Sequence, residues 1–560
     1  MLVHRSNRME SLVEMLARVV DTRLRDPFAR ECIVVQGRGM ERWLSMQLAQ
    51  RLDVWANPHF PFPRKFIERS FDELLGPTEK ARDLYDPGVL LWTIADLLPG
   101  LLEHGEFDEV RSYLARVGPT STATGSIEAD FHLIALAERI AVVLDQYAVF
   151  RPQWIADWEQ GRGGHWQALL WQKIVKRLGP GSVATLARRW LQRLPAVDEA
   201  LLPQRLSIFG LSTLPPLYLD LFAALASRIE VHLFLLSPSR EYWAWVRSKR
   251  QVWRQLLAEE RTTSDFEAIA ADAQGNPLLA SLGRLGGDFQ CVIESNVDYR
   301  DDDSYFEPGT GSILTTLQSD ILNLRHRHRD SAKTPSLAVD HDDESVRIHA
   351  CHSPTREVEV LHDQLLDLFE RQHGLEPRDV IVLSPDIDAY APFIDAVFAG
   401  SGGAPPQIPY RIADRKVRST DDVVDTFLTL LSLLRGRFSA PDVVDLLNRE
   451  PIYTRFGIVA EEVDVVHEWV REAGIRWGIE AAHRGALDQP PLAEHTWRFG
   501  LDRMFLGYAM AGDQRRLFQG VLPLDDMEGT PTELLGKLTE CLDRLFALQR
   551  SLQAPRDLAQ

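Results

Sequence analysis

The sequence predicts an α/β protein, and three observations carry that reading. Short apolar runs such as Cys32-Ile33-Val34-Val35 and Leu206 to Phe209 have the length and continuity of parallel strands buried on both faces. Amphipathic helical stretches follow them, so strand and helix alternate. Two long stretches, about 80–199 and from about Thr420 onward, are almost wholly helical in pattern and interrupt that alternation.

In chain order, Leu2 to His4 is a short apolar start, and Asn7 with Glu10 three residues later has the form of a capping box. Met9, Leu12, Val13, Leu16, Val19 and Val20 recur at helical spacing. The second strand, Cys32 to Val35, ends in Gln36-Gly37-Arg38-Gly39, with a helix expected from near Met40. After the first helical stretch, Leu206 to Phe209 is a strand, Ser212 to Pro216 a turn, Leu217 to Ala226 a helix and Ile229 to Leu236 a further strand. Residues 326–345 are polar and charged and are expected to be a linker. A second series opens beyond it: strand Val346 to Cys351, helix 354–370, strand Val380 to Leu383 and a helix from Ile387. Val358, Leu361, Leu365 and Leu368 give the first of these helices one apolar stripe.

Composition narrows the function classes. A chain of 560 residues has room for several domains, and 45% hydrophobic content excludes disorder as the main state. No apolar run is long enough to span a bilayer, and the first residues lack the layout of an export signal, so a cytoplasmic protein is expected. Cys32, Cys291, Cys351 and Cys541 lie far apart with no CxxC pair, which removes a disulfide scaffold and a cysteine-rich zinc site. The net charge of −19 argues against non-specific coating of nucleic acid. It leaves open an internal channel with its own local charge.

The motifs are informative mainly by absence. Two α/β blocks with helical excursions have the look of a helicase motor, which needs GxxxxGK[ST] to cradle phosphates. The single Gly-Lys pair, Gly536-Lys537, is followed by Leu538, has Pro531 in place of the first glycine and lies in a helical run. ATP hydrolysis by that route is not expected. Gly37 and Gly39 fit either close backbone approach to a phosphate or a tight strand-to-helix turn, with Arg38 and Arg42 giving the loop a positive face.

Asp301-Asp302-Asp303 and Asp340 to Glu344 lack the EF-hand pattern and read as solvated acidic loops. Asp386 and Asp388 stand at a strand end where active sites occur, but a helix N-cap explains them equally well. Cys351-His352 cannot act as a pair on one strand, since neighbours point to opposite faces. His326 and His328 among Arg325, Arg327 and Arg329 form a basic knot, solvated or touching a phosphate. Arg151, Trp154, Trp158, Trp166, Trp171, Lys173, Lys176 and Arg177 interleave rings with cations. Arg247, Lys249, Arg250, Trp253 and Arg254 do so again. Single-stranded bases stack on such rings, although core tryptophan is the favoured reading for any one of them.

Several stretches resemble one family. SPTREVEVLHDQLL (353–366), GNPLLASLGRLG (275–286), GIRWGIE (474–480), HTWRFGLDRMFLGYAM (495–510), LDQYAVFRPQWI (144–155), GLSTLPPLYL (210–219) and LQSDIL (317–322) are similar to the RecC family, in the family's order. RecC is a subunit of the RecBCD helicase–nuclease, exodeoxyribonuclease V. The resemblance implies two superfamily-1 helicase-like α/β domains that have lost ATP chemistry, each with a helical insertion. The first domain would be 1–325, its α/β core 1–79 and 200–325 around an insertion at about 80–199. Beyond a 326–345 linker, 346–419 would begin the second, and 420–560 would be its truncated insertion.

The resemblance also implies a non-catalytic DNA-binding role in double-strand-break repair by homologous recombination. The chain would split duplex ends and guide the 3′ single strand, with recognition of the Chi signal or with none. RecB-like and RecD-like subunits would be its partners, double-stranded ends and single-stranded DNA its ligands, and ATP and magnesium the business of those partners. Gln36, Asp145 and Arg151 match residues of Chi-responsive members; Arg38, Arg42, Phe62 and Glu68 occupy neighbouring channel positions but differ. Members of the family are about twice as long as this chain. The rest of the second α/β domain and a C-terminal nuclease-like domain are therefore expected to be missing. A half-built sheet exposes apolar edges, so instability beyond about residue 345 is expected.

Overall fold

The computed structural model describes every residue except 27, 53, 118–126, 248–251, 254–274, 297, 328–337, 339, 400–407, 414, 416–420, 511–516, 525–531 and 554–560. Lys249, Arg250, Arg254, His328, Arg329, Pro531 and most of the 326–345 segment therefore lie outside the described residues. The chain divides into two compact units, Met1–Arg347 and Ile348–Gln560.

The first unit is built on six parallel strands: β1 (Leu2–Ser6), β2 (Glu31–Val34), β3 (Pro58–His59), β4 (Arg205–Phe209), β5 (Glu230–Leu236) and β6 (Arg300–Asp303). They stand in the order β3-β2-β4-β5-β1-β6. Successive side chains leave opposite faces. Ile33, Val35, Phe209 and Phe234 meet α1 (Met9–Asp21) and α2 (Arg38–Leu52) on one side. Cys32, Val34, Leu206, Ile208 and Leu233 face a second core on the other. That side is closed by α3 (Pro63–Leu75) and, from further along the chain, Leu186 and Trp190, Leu219 and Phe222, and Phe289.

Between β3 and β4 the chain is helical: after α3 come α4 (Glu79–Asp83), α5 (Pro87–Leu101), α6 (Asp108–Val117), α7 (Ile127–Phe150), α8 (Pro152–Glu159), α9 (Trp166–Leu178) and α10 (Val183–Arg193). Ile94, Leu98, Leu144, Ile155 and Trp171 give this block its own core. The sheet side is completed by α11 (Pro216–Leu225) and α13 (Arg284–Asn296), while α12 (Pro277–Leu282) and α14 (Ile313–Leu322) meet in a small cluster with Trp243 and Val246.

Several expectations are corrected. Asn7 is not an N-cap: Arg8 holds that position without a side-chain bond. Asn7 instead exchanges two 2.8 Å hydrogen bonds with the Phe306 backbone. The second helix starts at Arg38, not Met40. Asp301-Asp302-Asp303 is not a solvated loop but most of β6, an edge strand with no apolar residue. It is held by its backbone ladder to β1, by an ion pair from Arg5 to Asp301 and by a 2.8 Å hydrogen bond between His4 and Asp302. Charged side chains suit an edge because they deter further pairing. Asp343, in the second acidic run, accepts from the Ile313 and Ser345 amides at the start of α14. In the basic knot, Arg327 forks onto buried Asp320 at 2.5 and 2.9 Å, with Arg325 3.8 Å away.

The second unit contains α15 (Pro354–Arg371) and α16 (Ile387–Phe398), which share a small core of Val358, Leu365, Phe398 and Ile408. Asp386 caps α16 by accepting from the Ala389 amide, which is the N-cap reading of that residue. Val346–Cys351 and Val380–Leu383, expected as strands, join no ladder. A helical bundle follows: α17 (Asp422–Arg435), α18 (Ala440–Leu447), α19 (Glu450–Arg455), α20 (Ala460–Glu472), α21 (Ala481–Ala486), α22 (Trp497–Ala509) and α23 (Thr532–Gln553). Its core includes Phe438, Val466, Trp497, Leu538 and Phe546. Gly536 and Lys537 lie inside α23, as the helical pattern requires.

Glu31 and Arg205 open adjacent strands β2 and β4, and both are buried. Arg205 donates to the two Glu31 carboxylate oxygens at 3.0 and 2.6 Å and to the carbonyls of Val19 and Thr22. Removing one member of such a pair strands the other charge without water, at a cost of about 3–5 kcal/mol. Arg205→Ala should lower the denaturant midpoint accordingly. The double variant Glu31→Leu/Arg205→Met should recover most of the loss, which a role outside this pair would not allow.

Candidate nucleic-acid interface at the carboxyl edge of the first sheet

Open α/β sheets present ligand-binding loops at the carboxyl ends of their strands. At this edge the first two loops differ. The β1–α1 turn is only Asn7-Arg8, and its polar groups are used: Asn7 on Phe306, the Arg8 amide on the Ser6 hydroxyl, and the Arg8 guanidinium 3.4 Å over the Phe306 ring. No phosphate cradle fits there.

The loop after β2 is open. Gln36, Arg38 and Arg42 are exposed, and the two arginines share one helix face. Among the described residues neither guanidinium has a hydrogen-bond or ion-pair partner. Neither Gly37 nor Gly39 has a positive φ, and a Cβ on either would meet nothing within 4 Å. The turn does not itself demand glycine, and the bare backbone faces open space. The Val35 amide donates to the Pro61 carbonyl at 3.1 Å, so the exit of β2 lies against the segment leading to Phe62. Phe62 is the N-cap residue of α3 and is 39% exposed.

One turn into α3, Glu68 accepts from Arg64 at 3.0 Å and from Lys65 at 2.8 Å. Burial pushes its pKa up, but the two cations outweigh burial and hold it below the ordinary carboxylate value. Asp145 on α7 lies 3.7 Å from Arg64 on its other side. Burial dominates there and raises its pKa, with Arg64 opposing. A small cavity lined by Arg64, Glu68, Arg82, Asp145, Trp171 and Tyr218 joins α3 to the helical block. Arg64 is the residue that sequence reasoning missed. Its signal was the i, i+4 spacing to Glu68.

Arg151 belongs to a different outcrop, at the junction of α7 and α8. Its guanidinium is 5.9 Å from the Trp154 ring, and Trp154 is 46% exposed beside exposed Phe150. Tyr147 meets Trp154 and Trp158 edge-on at 5.5 and 5.9 Å. Trp158 and Trp171 are buried, as the core reading of tryptophan holds; Trp166 is partly buried, and Trp154 and, in the second stretch, Trp253 are exposed. In the second aromatic stretch Arg247 turns back onto the carbonyls of Ala244 and Val246. Among the described residues no group of three or more His, Cys, Asp or Glu is placed to hold a metal, and no helix is long and apolar enough to cross a membrane.

The helix that carries Phe62 and Glu68 is fixed at its far end by Asp72. Asp72 takes 2.8 and 3.0 Å bonds from Arg82 and further bonds from the Thr78 amide and hydroxyl. Arg82 above all, then Thr78, overcome partial burial and hold this carboxylate at about 2, below its ordinary 3.8. A depressed carboxylate stabilises the fold above its unfolded pKa and loses that contribution as pH falls through the folded value. Between pH 3.8 and 2 the stability of the chain should therefore fall more steeply than that of Asp72→Asn. Parallel pH curves for the two proteins would disprove this anchoring role.

The sequence profile of "RecC, N-terminal domain" matches residues 1–324, and that of "RecBCD enzyme subunit RecC fourth domain" matches residues 420–560. The chain is 36% identical to the RecBCD enzyme subunit RecC of Escherichia coli K12, over all of this chain and 52% of that protein. It is 33% identical to the Haemophilus influenzae subunit, over 99% of this chain and 52% of that one. For the Mycolicibacterium smegmatis subunit the identity is 32%, over 99% and 50%. The chain thus spans about half the length of the curated relatives it matches, and it belongs to the RecC family.

Proposed function

We propose that this chain is a non-catalytic, DNA-handling part of a RecBCD-type helicase–nuclease, acting in the cytoplasm in recombinational repair of double-strand breaks. RecB-like and RecD-like subunits would supply ATP hydrolysis and DNA cleavage, while this chain helps to part duplex ends and guides a single strand. The first unit would be a helicase-like domain without ATP chemistry, and the β/α series beginning near residue 346 the start of a second.

The observation that carries this reading is the open loop after β2. On a chain of net charge −19, Arg38 and Arg42 stand exposed and, among the described residues, without a partner, beside bare glycine backbone and a partly exposed Phe62. Phosphates are attracted to such cations and to amides at a helix start, and bases stack on exposed rings. Trp154 with Arg151 offers a second stacking platform. The closed β1–α1 turn supports the absence of ATP chemistry in this chain.

A reading without sequence recognition has its own support. Glu68 accepts from Arg64 and Lys65, and Arg64 stands 3.7 Å from Asp145, so a cation competes with a base edge for both carboxylates. In that reading the strand is held by its backbone and its stacking, and Chi is not read at these positions.

Binding of the full chain to fluorescent single-stranded DNA across a salt series tests the proposal. Arg38→Gln/Arg42→Gln should weaken binding and reduce the slope of log K against log salt by about 1.4, from ~0.7 per phosphate contact on single strands. Trp154→Ala should cost about 1–3 kcal/mol. Unchanged affinity and slope in the double arginine variant would rule the loop out as a DNA contact. ATP hydrolysis by the isolated chain would overturn the non-catalytic assignment.

A further inference from the structure

All six strands of the first sheet run the same way, so their amino ends, and the loops that enter them, meet at the edge opposite the candidate nucleic-acid interface. The strand order sets the loop into β2 (22–30) beside the loop into β4 (198–204), with the loop into β5 (226–229) next to that. A cavity of about 520 Å³ opens among these loops, and Arg23, Arg25, Gln204 and Arg228 are in its wall.

The loop into β2 is tied down by its backbone. Its start is held by Arg205, which donates to the carbonyls of Val19 and Thr22. The Arg25 amide donates to the Gln204 side-chain oxygen at 2.7 Å. Asp26 accepts from the Phe28 amide at 2.9 Å, and Asn57 donates to the Phe28 carbonyl at 3.0 Å. The side chains are left outward. Arg23 and Arg25 are exposed, and among the described residues neither guanidinium has a hydrogen-bond or ion-pair partner. Arg228 gives its hydrogens to the carbonyls of Leu194, Pro195 and Val197, which carry no net charge, so its own charge is not cancelled. Arg205, also in the wall, is spent on Glu31. Two carboxylates share the cavity, Glu199 and Glu230, and the second lies 3.1 Å from the His232 ring. Three uncancelled cations therefore face two acids on a chain of net charge −19.

Apolar side chains stand beside them. Phe28 is 86% exposed, Val54 77% and Leu201 54%, on the loops into the three consecutive strands β2, β3 and β4. A ring held out by an ordered turn next to unneutralised arginine is the chemistry of a protein-interface anchor, since the guanidinium fork matches a carboxylate and the ring supplies apolar area. A nucleic acid fits less well. Val54 and Leu201 offer no ring face to a base, and Glu199 and Glu230 break the run of positive charge that a phosphate backbone would follow. We propose that the amino edge of the first sheet docks a protein partner through a short acidic segment. Its Asp or Glu carboxylates would meet Arg23, Arg25 and Arg228, and a neighbouring Leu or Phe would pack on Phe28, Val54 and Leu201. The carboxyl edge stays free for a strand while the opposite edge is held.

A random dodecapeptide library displayed on phage, panned on the full chain and counter-panned on Arg23→Glu/Arg25→Glu, tests this. The retained peptides should be rich in Asp and Glu with Leu or Phe among them. A synthetic copy of the most enriched sequence should bind at least ~10-fold more weakly to Arg23→Glu/Arg25→Glu and to Phe28→Ser. The melting temperature of either variant should match that of the unaltered chain, because all three side chains are exposed. No enrichment, enrichment of basic or neutral sequences, or equal affinity for the unaltered and substituted chains would overturn the proposal. So would displacement of the peptide by single-stranded oligothymidine, which would give this edge to nucleic acid. Self-association of the chain that disappears in the same variants would overturn it as well, the occupant then being a second copy.

Discussion

A parallel sheet buries both of its faces, and this constraint shapes the first unit. Its strands carry apolar side chains on both sides, so each central strand needs a helix above, a helix below and a neighbour at each edge. In the first unit every demand is met. Helices α1 and α2 cover one face, α3, α10, α11 and α13 the other, and the edges are closed by the two-residue β3 and the charged β6. Even the buried charge obeys the same rule: Arg205 and Glu31 are tolerated inside because they satisfy each other at the amino ends of neighbouring strands. In the second unit α15 and α16 pack on each other, and among the described residues Val380–Leu383 joins no ladder.

Charge follows a second logic. The chain is acidic overall, and many of its cations near the first sheet are spent internally. Arg5 holds Asp301, Arg64 stands between Glu68 and Asp145, Arg82 pins Asp72, and Arg327 clamps Asp320. Each of these fixes a helix or strand in place. Against that background the two arginines on the first turns of α2 stand out because nothing in the described structure neutralises them. Local charge rather than net charge is what an approaching phosphate meets.

The strands and helices that could be read from the sequence were those with a continuous apolar run or a helical stripe: β1, α1, β2, β4, α11, β5, α15 and α16. Those that could not were built from residues with no such signal. Pro58-His59 is too short to show a period, and Arg300–Asp303 has no apolar residue at all. Its place depends on His4 and Arg5, nearly three hundred residues away. Val346–Cys351 and Val380–Leu383 are the reverse case. Their pattern is that of strands, but a strand is a relation between segments, and one segment's sequence cannot state whether its neighbour is present. At the candidate interface Gln36, Arg38, Arg42 and Phe62 came out exposed on one edge. That Glu68 and Asp145 are joined through Arg64 was not legible, because the link crosses from α3 to α7. Trp154 was indistinguishable from Trp158 by composition; only the packing of α8 separates an exposed ring from a buried one.

The two loops at the carboxyl edge give the functional argument its physical form. Nucleotide-hydrolysing α/β proteins place a long glycine-rich loop after a strand so that backbone amides can surround phosphates. Here the turn after β1 has two residues and is tied to Phe306, while the turn after β2 has two glycines that its own geometry does not require. Glycine that is not needed by φ, and whose missing Cβ would have met nothing inside the protein, leaves backbone uncovered toward the outside. Beside it stand two guanidinium groups that nothing in the described structure neutralises. Such a surface favours a polyanion by charge and by uncovered backbone, and that is the physical basis of the DNA contact proposed for this loop.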